Sequence, residues 1–333
     1  MKQERTETKP FIGSLCTGYG GLDIAVLAVF GGRLAWCADN DKHVSVILDA
    51  RYPDTPNLGD LTALDWVEVP TVDIICAGFP CQDISYSGRG AGIEKGVRSG
   101  IWRNIITGIR SLRPKLIVVE NVAAIRSRGL HRVLGDLAAC GYDGSWTSLR
   151  ASDVGAAHRR ERVFVLAYRP EAANILAAAD ARGQRWQRWA ASCQAPSGWT
   201  PGGLIRPGHI TLGATAERVQ VGHAEASSVG KIAWGRYEAA IRRWEAFTGR
   251  EAPYPVERGT RGQPRLAATF SEWLMGLPSG FVTGLGLSYS AQHRALGNGV
   301  MPQQAVVALW QLVTMVTGRQ TEDNQAHERG MAA

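Results

Sequence analysis

The chain lacks the features of a membrane protein, a secreted scaffold or a zinc protein. No apolar run approaches the roughly 20 residues that are needed to span a bilayer. The segment from Met1 to Pro10 is polar and contains no apolar secretory signal, which favours a cytoplasmic protein. The six cysteines form no Cys-x-x-Cys pair, and no histidine stands at zinc-ligand spacing. We therefore expect free thiols and no bound metal.

The chain carries a net charge of +7, and the positive excess is concentrated in one stretch. From Arg169 to Arg265 there are 14 Lys and Arg against 8 Asp and Glu, together with five of the eleven tryptophans. A basic segment with interleaved aromatic residues suits a polyanion, most often nucleic acid. A solvated surface is the alternative, because the excess is modest for a stretch of this length.

Up to about residue 168, short apolar runs alternate with glycine turns and helical segments. The predicted strands are 11–16, 34–38, 72–77, 116–119, 144–149 and 162–168, and the predicted helices are 22–30, 42–51, 101–112 and 130–140. This alternation predicts an α/β fold with an open, mainly parallel sheet and helices on both faces. Ligands of such sheets bind at the carboxyl ends of the strands.

The pattern breaks down after Pro170, where Gly, Pro, Arg and Trp dominate and only one helix, about 234–248, is predicted before residue 264. A helix near 269–275 follows, and then an apolar helix over 303–316 that is hydrophobic on most faces and is expected to pack back onto the first domain. No internal repeat is present. We divide the chain into a first domain (9–168), a small irregular domain (169–265) and a returning segment (266–318), with loose tails at 1–8 and 319–333.

A turn that carries a thiol follows the predicted strand 72–77. In Gly78-Phe79-Pro80-Cys81-Gln82, a glycine and a proline end the strand and force a turn. The turn lifts Cys81 off the sheet edge, ahead of a glycine-rich loop that reaches Gly100. An exposed and fixed sulfur suits a nucleophile, although an isolated cysteine is more often a buried structural residue.

A glycine turn lies between the first predicted strand and helix, in Leu15-Cys16-Thr17-Gly18-Tyr19-Gly20-Gly21-Leu22. Glycines let a ligand approach the backbone, and a helix N-terminus favours negative charge. Asp39 follows the second strand, where a carboxylate can accept hydrogen bonds from ribose hydroxyls. Asp60 could accept one from an adenine amino group. A tight turn without a ligand is the alternative reading of all three features.

Ionisable residues stand at the ends of two further strands. Glu120 directly follows an apolar strand, at the same sheet edge as Cys81, where desolvation would raise its pKa and make it a proton donor. Arg160 and Arg162 alternate with Glu161 at the start of a strand, so both could point to one face and bind carbonyl or phosphate oxygens. A solvated or capping carboxylate and a salt-bridged strand start are the alternatives.

Together these segments resemble the DNA cytosine-5 methyltransferases, in the order of that family and through most of the chain. The resemblance lies in Leu15 to Leu22, Gly78 to Ser85, Glu120-Asn121-Val122, His158 to Arg162, Glu272 to Pro278 and Gly297 to Val300. Pro-Cys-Gln followed about forty residues later by Glu-Asn-Val is highly specific. The chain departs from the family at Cys16-Thr17, where Phe-Ala is more usual, and at Ala157-His158, where Pro-Gln is usual. The role of His158 is therefore open.

The resemblance implies a Rossmann-like methyltransferase fold with a small target-recognition domain. It implies transfer of a methyl group from S-adenosyl-L-methionine to C5 of cytosine in a specific sequence of double-stranded DNA, by base flipping and a covalent Cys81 adduct. The implied catalytic residues are Cys81, Glu120, Arg160 and Arg162, and the implied DNA contacts are Gln82, Ser85, Ser87, Arg89 and Arg98. The implied cofactor residues are Leu15, Cys16, Thr17, Gly18, Tyr19, Gly20, Gly21, Leu22, Asp39, Asn40, Asp60, Leu61, Gly78, Pro80, Asn298 and Val300.

Other readings of the chain stay open. Some relatives with these motifs methylate tRNA, and a DNA-binding relative that has lost catalysis is a second alternative. A nucleotide-dependent oxidoreductase would explain the glycine turn but not Pro80-Cys81-Gln82. We expect a cytoplasmic monomer in a bacterium or a phage-infected cell, with a cognate restriction endonuclease as a candidate partner. A restriction-modification, orphan or phage setting would give the same sequence pattern, and the DNA target is open.

Overall fold

The structure, a computed structural model, describes residues 9–80, 99–192 and 232–331. Its strands are β1 (Phe11–Leu15), β2 (Arg33–Ala38), β3 (Ile74–Ala77), β4 (Leu116–Val122), β5 (Asp143–Arg150), β6 (Glu161–Tyr168), β7 (Val256–Arg258) and β8 (Pro264–Leu266). Its helices are α1 (Gly21–Phe30), α2 (Lys42–Arg51), α3 (Ser99–Leu112), α4 (Ile125–Arg128), α5 (Leu130–Ala139), α6 (Ala173–Ser192), α7 (Glu238–Thr248), α8 (Ala268–Leu274), α9 (Tyr289–Asn298) and α10 (Pro302–Met331).

The predicted mainly parallel sheet is confirmed, with one strand reversed. Six strands lie in the order β2-β1-β3-β4-β6-β5. Strands β1 to β4 are parallel, whereas β6 is antiparallel to both of its neighbours, β4 and β5. Because β6 is reversed, its first residues lie at the edge where β4 ends, and Arg162 is paired with Val122 in the ladder. The sequence pattern did not predict this reversal.

The helices cover both faces of the sheet, as predicted. Successive side chains of a strand point to opposite faces. On β3, Ile74 and Cys76 enter a core with α1, α6 and α10, whereas Ile75 and Ala77 enter a second core with α3 and α5. Complete burial of one such large apolar side chain contributes about 1.5–3 kcal/mol. Both faces of the sheet are therefore covered by helices, so a ligand can reach the sheet only at its edges.

Helix α2 has the bounds that the sequence predicts, because Asp41 caps it. The Asp41 side chain accepts hydrogen bonds from the backbone N–H groups of His43 at 2.8 Å and Val44 at 3.4 Å. A capping carboxylate of this kind satisfies N–H groups that have no partner within the helix, which contributes about 1 kcal/mol. The cap also fixes the backbone at the end of β2.

Helix α10 packs into the core with α1, as its apolar composition predicts. Its largest buried apolar side chains, each at most 1% exposed, are those of Val306, Leu309, Leu312, Val313 and Val316. Two buried glutamines at its start donate to backbone carbonyls, Gln303 to Gly276 at 2.8 Å and Gln304 to Leu149 at 2.7 Å. The helix continues to Met331, through most of the segment that was expected to be a loose tail.

One helical stretch in the described part of the chain, Tyr289–Gly318, is long and apolar enough by composition to cross a membrane. Of the window that meets this criterion, 78% is buried inside the protein. Helices α9 and α10 share this stretch, and the extent of burial is typical of core helices.

Helix α6 extends the first core beyond the domain boundary expected at residue 168. Its side chains Leu176 and Ala179 are fully buried, in the same core as α1 and α10. The first turns of α6 therefore pack with the sheet. The limits of the second domain stay a prediction, because residues 193–231 lie outside the described residues.

The start of α1 packs directly against the segment that precedes α10. The Tyr19 hydroxyl donates to the Val300 carbonyl oxygen at 2.5 Å, and Tyr19 is fully buried. A Cβ atom added at Gly21 would lie 2.0 Å from the same carbonyl oxygen. A Cβ atom added at Gly299 would lie 1.9 Å from the Tyr19 ring. Glycine is needed at both positions because the two segments approach so closely.

This packing gives a first prediction. Gly21→Ala is expected to lower the free energy of unfolding by about 1–3 kcal/mol, because backbone must move to admit the methyl group. The matched control is Gly135→Ala in α5, where an added Cβ atom meets nothing within 4 Å. That variant is expected to be neutral or to gain about 0.5–1 kcal/mol. Urea unfolding followed by circular dichroism measures both, and equal stabilities would contradict the close approach.

Candidate active site

A cleft of about 760 Å³ opens at the carboxyl edge of the sheet. Its walls come from the ends of β1 to β4, the start of β6, and α9 with the residues that follow it. The position is that of ligand sites in open α/β sheets, and the volume lies in the range of small-molecule sites. The predicted cofactor residues that line it are Leu15, Cys16, Thr17, Gly18, Leu22, Asp39, Asn40, Gly78, Pro80, Asn298 and Val300.

The first half of the glycine turn exposes its backbone to the cleft. Gly18 has a φ angle of +58°, and an added Cβ atom would meet nothing within 4 Å. Its N–H donates to Asp39 Oδ2 at 2.9 Å, which ties the turn to the end of β2. Cys16 also has a positive φ angle, 53°, and burial raises the pKa of its thiol to about 12. Cys16 is therefore a neutral wall residue at physiological pH.

Three residues in the second half of the turn, Tyr19, Gly20 and Gly21, do not line the cleft, whereas Leu22 does. Tyr19 and Gly21 pack against the segment before α10, and a Cβ atom added at Gly20 would lie 2.4 Å from the Tyr52 hydroxyl. Of the predicted cofactor residues in this turn, Tyr19, Gly20 and Gly21 therefore support the wall from behind.

Asp39 is held rigidly and retains acceptor capacity. Its Oδ1 accepts from the Asp41 N–H at 3.0 Å, and Asn57 binds its backbone N–H at 3.0 Å and its carbonyl at 3.1 Å. Burial raises the pKa of Asp39, and the hydrogen bonds from Asp41 and Gly18 oppose that shift. A carboxylate has about four acceptor sites, and only two are used by these bonds. The others are available to donors in the cleft.

Asp60 and Leu61 do not line the cleft. Asp60 Oδ2 accepts from Asn40 Nδ2 at 3.0 Å, and its Oδ1 accepts from the N–H and the hydroxyl of Thr62. The hydrogen bonds from Thr62 lower the pKa of Asp60. Leu61 is buried in the core with α3 and α5. Asp60 therefore meets the cleft through Asn40, which does line it.

Glu120 and Arg162 meet in the cleft as a buried ion pair. Arg162 Nε lies 2.9 Å from Glu120 Oε1, and the two side chains are 13% and 8% exposed. The pair exists because β6 is reversed, which brings its second residue beside the end of β4. Burial raises the pKa of Glu120, and the charges of Arg162 and Arg160 act against that shift. The raised pKa of the Glu120 carboxyl group lies closer to neutral pH, where the group can give or take a proton.

The residues before Cys81 are anchored at the same edge. Asn121 donates from Nδ2 to the Phe79 carbonyl at 3.3 Å, and the Phe79 ring packs on Trp102 with centroids 5.1 Å apart. Pro80 lines the cleft. The predicted residues Cys81, Gln82, Ser85, Ser87, Arg89 and Arg98 lie outside the described residues, and their positions stay a prediction.

Arg160 and Arg162 bind different partners at the start of β6, and a shared face for the two side chains stays a prediction. The strand begins at Glu161, so Arg160 precedes it. Arg160 Nη2 donates to the carbonyl oxygens of Gly297 at 2.7 Å and Gly299 at 2.6 Å, and Arg160 does not line the cleft.

His158 is a structural histidine. Its Nε2 lies 2.9 Å from the Leu274 carbonyl oxygen, which can only accept, so Nε2 carries the proton. Burial lowers the pKa of His158 to about 4, and the neighbouring arginines add to that effect. The neutral ring therefore ties the segment before β6 to the end of α8.

The sequence pattern did not predict all of the residues that line the cleft. Arg294 of α9 lines the cleft and lies 3.2 Å from Asp41 Oδ2, also a lining residue. No motif marks Arg294, because its place depends on how α9 docks. Phe79 and Val122 stand inside the recognised motifs and also line the cleft. No group of three or more His, Cys, Asp or Glu side chains that could hold a metal occurs among the described residues.

Comparison with known protein families identifies one match. The model of the C-5 cytosine-specific DNA methylases matches residues 11–189, more than half of the chain.

Curated relatives match a little under half of the chain. The Type II methyltransferase M.DsaV of Dactylococcopsis salina is 31% identical over 158 residues, which cover 46% of this chain and 44% of that protein. M.NgoBI of Neisseria gonorrhoeae is 29% identical over 158 residues, covering 46% and 49%. M.HhaI of Haemophilus parahaemolyticus is 30% identical over 159 residues, covering 46% and 48%. The matched region thus spans about half the length of these relatives.

Among solved structures, the Dnmt2 methyltransferase of S. pombe aligns with a TM-score of 0.55 at 14% identity. The alignment covers 90% of this chain and 98% of that chain. The likeness at this identity concerns the fold, and it includes the region beyond the family match.

His158 gives a prediction for the dependence of stability on pH. The fold lowers the pKa of His158, so the folded protein favours the neutral ring. The contribution of His158 to the free energy of unfolding is therefore fully present above pH 6.5 and is lost as the pH falls towards 4. His158→Gln keeps an N–H donor for Leu274 but cannot titrate. Between pH 6.5 and pH 4, the wild type is expected to lose up to roughly 3 kcal/mol of its free energy of unfolding relative to the variant.

Urea unfolding at several pH values between 7.5 and 4 measures this difference. The carboxyl groups with raised pKa values shift stability in the opposite direction, but they are common to both proteins and cancel. A difference that does not change with pH would show that His158 is not buried in its neutral form.

Proposed function

Because this chain belongs to the family of C-5 cytosine-specific DNA methylases, we propose that it transfers a methyl group from S-adenosyl-L-methionine to C5 of cytosine in a specific sequence of double-stranded DNA. One observation carries the proposal. The buried pair of Glu120 and Arg162 shares a single cleft with Gly18, Asp39 and Pro80. Glu120 and Arg162 are proposed to bind a base, and Gly18 and Asp39 are proposed to bind a nucleoside. All four residues line the same cleft.

The residues of the cleft fit S-adenosyl-L-methionine. Gly18 leaves an open approach to the backbone, and Asp39 retains acceptors for ribose hydroxyls. Asp39 and Asp41 give the cleft carboxylates, which favour a cationic ligand. When bound, S-adenosyl-L-methionine supplies an electrophilic methyl group. The proposed contacts are the lining residues of the predicted set, with Tyr19, Gly20, Gly21, Asp60 and Leu61 supporting them from behind.

Cys81 is proposed as the nucleophile. Cytosine C5 is a poor nucleophile, and addition of a thiolate at C6 turns the ring into an enamine-like species whose C5 can attack an electrophile. Pro80, the residue before Cys81, lines the cleft that holds Glu120. Departure of the C5 proton to water and cleavage of the S–C6 bond then restore the thiolate and the aromatic ring.

Glu120 and Arg162 are proposed to hold the base during this addition. Glu120, with its pKa raised by burial, can carry a proton to N3 as negative charge develops, and its other oxygen can accept from the exocyclic amino group. Arg162 can bind O2, because its guanidinium has five donors and only some of them face Glu120. Fixed charges in a water-poor site stabilise such an adduct strongly.

The DNA must present its target base outside the helix. Flipping a base out of the stack costs a few kcal/mol, and contacts to the backbone and to the gap offset that cost. Gln82, Ser85, Ser87, Arg89 and Arg98 are proposed for such contacts, and the basic stretch 169–265 for recognition of the target. We further propose a cytoplasmic monomer in a bacterium or a phage-infected cell, with a cognate restriction endonuclease as a candidate partner.

The test of this function uses tritium-labelled S-adenosyl-L-methionine. Label is expected to enter unmethylated genomic duplex DNA, and sequencing of the methylated cytosines would give the target. A parallel reaction contains bulk tRNA instead of DNA. Label in tRNA alone would contradict the DNA substrate in favour of RNA, and label in neither would favour a relative that binds DNA without catalysis.

Variants of the proposed nucleophile and acid give a third prediction. Cys81→Ser is expected to abolish methyl transfer while S-adenosyl-L-homocysteine still binds, because a hydroxyl is a far weaker nucleophile. Glu120→Gln, which cannot give a proton, is expected to slow transfer by about 10²–10⁴-fold. The control is Cys140→Ser, since Cys140 is buried at the end of α5 and does not line the cleft. Full activity of Cys81→Ser would rule out the covalent adduct.

A further inference from the structure

Four residues, the last two of α9 and the two that follow it, form part of the cleft wall that comes from the C-terminal part of the chain. Gly297, Asn298, Gly299 and Val300 all line the cleft, and we call this segment the 297–300 wall. Two of its residues are glycines, so few side-chain contacts hold it. Its carbonyl groups are bound instead. Tyr19 donates to Val300, and Arg160 donates to Gly297 and Gly299.

Arg160 binds this wall from a buried position. One nitrogen, Nη2, lies 2.7 Å from the Gly297 oxygen and 2.6 Å from the Gly299 oxygen. Its Nε is buried without a hydrogen-bond partner in the described part of the protein. Burial lowers the pKa of Arg160 to about 10, and the charge of Arg162 adds to the effect. A guanidinium in such surroundings is costly, since no carboxylate of the described residues is paired with it directly.

The backbone of Arg160 also binds the helix that follows the wall. Gln304, in the first turn of α10, donates from Nε2 to the Arg160 carbonyl oxygen at 2.8 Å and to that of Leu149. Gln304 is fully buried. Arg160 therefore holds both ends of the connection between α9 and α10, one through its side chain and the other through its backbone.

We propose that Arg160 is a positioning residue for the cofactor, which holds the 297–300 wall in place through two carbonyl groups. This inference rests on the proposed function, since it takes the cleft to be the site of S-adenosyl-L-methionine. It replaces the direct contact with the base that the sequence pattern predicts for Arg160. Arg162 keeps the role at the base, because it alone of the two arginines lines the cleft.

The two roles differ in their consequences. A residue that holds the cofactor wall affects the affinity for the cofactor, with or without DNA. A residue that binds the adduct affects the rate of methyl transfer at saturating cofactor. Removal of Arg160 is therefore expected to raise Kd and KM for the cofactor much more than it lowers kcat.

The experiment measures binding of S-adenosyl-L-homocysteine to the full chain by isothermal titration calorimetry. Arg160→Met is expected to weaken binding by about tenfold or more, because two hydrogen bonds from a charged donor are lost. Arg160→Lys is expected to fall between this variant and wild type, since an ammonium keeps the charge but not the planar geometry. The control is Arg159→Met, because Arg159 is exposed and does not line the cleft; its binding is expected to stay within about twofold of wild type.

Methyl transfer to duplex DNA completes the test. KM for the cofactor is expected to rise in Arg160→Met with a smaller change in kcat, and Arg160→Lys is expected to restore part of the loss. Unchanged affinity for S-adenosyl-L-homocysteine in Arg160→Met, or a collapse of kcat with unchanged affinity, would overturn the inference. Circular dichroism checks folding, and if Arg160→Met does not fold, the same criteria apply to Arg160→Lys.

The wild-type protein separates this inference from the proposed function. If wild type does not bind S-adenosyl-L-homocysteine, the proposed function fails, and the inference fails with it. If wild type binds and Arg160→Met binds equally well, only the role of Arg160 is refuted.

Discussion

The reversal of β6 is the constraint on which the site depends. Strands advance about 3.3 Å per residue, so a β6 parallel to β4 would begin beside Leu116 and would put Arg162 roughly 10 Å along the sheet from Glu120, towards the opposite edge. Because β6 is antiparallel, its first residues meet the end of β4, and Arg162 lies 2.9 Å from Glu120. One choice of strand direction thereby brings a cation to the edge where the carboxylate, the glycine turn and Pro80 already lie.

Four ionisable residues lie wholly or partly buried near the cleft, and they avoid the cost of burial in three different ways. His158 stays neutral, with its pKa lowered to about 4. Arg160 is surrounded by carbonyl oxygens of the 297–300 wall. Glu120 and Arg162 neutralise each other. Only the pair of Glu120 and Arg162 leaves two groups that a ligand could separate and bind. His158 and Arg160 already have fixed backbone partners. A buried pair of this kind adds little to stability, so it is better explained by chemistry than by folding.

Local patterns predicted most of the fold, and contacts between distant segments account for what they missed. Asp41 marks the start of α2, and Gly78 with Pro80 marks the end of β3, because capping and turn formation involve only neighbouring residues. The direction of β6 depends on pairing with β4, which lies earlier in the chain, and the place of Arg160 depends on a segment more than 100 residues away, at Gly297. Periodicity contains no information on such contacts. Of the site, the motif residues were predicted, whereas Arg294 was not, since it reaches the cleft only through the docking of α9.

One short segment links three parts of the structure, namely the 297–300 wall, Glu120 at the end of β4, and α8. Within five residues, His158 binds the end of α8, Arg160 binds the 297–300 wall and Arg162 binds Glu120. Because β6 is hydrogen-bonded to β4 and β5 on either side, a displacement at one of these three points strains the other two. On the proposed function, binding of DNA and binding of cofactor against the wall would then both act on the position of Arg162. Such a linkage requires that the two affinities influence each other by equal factors.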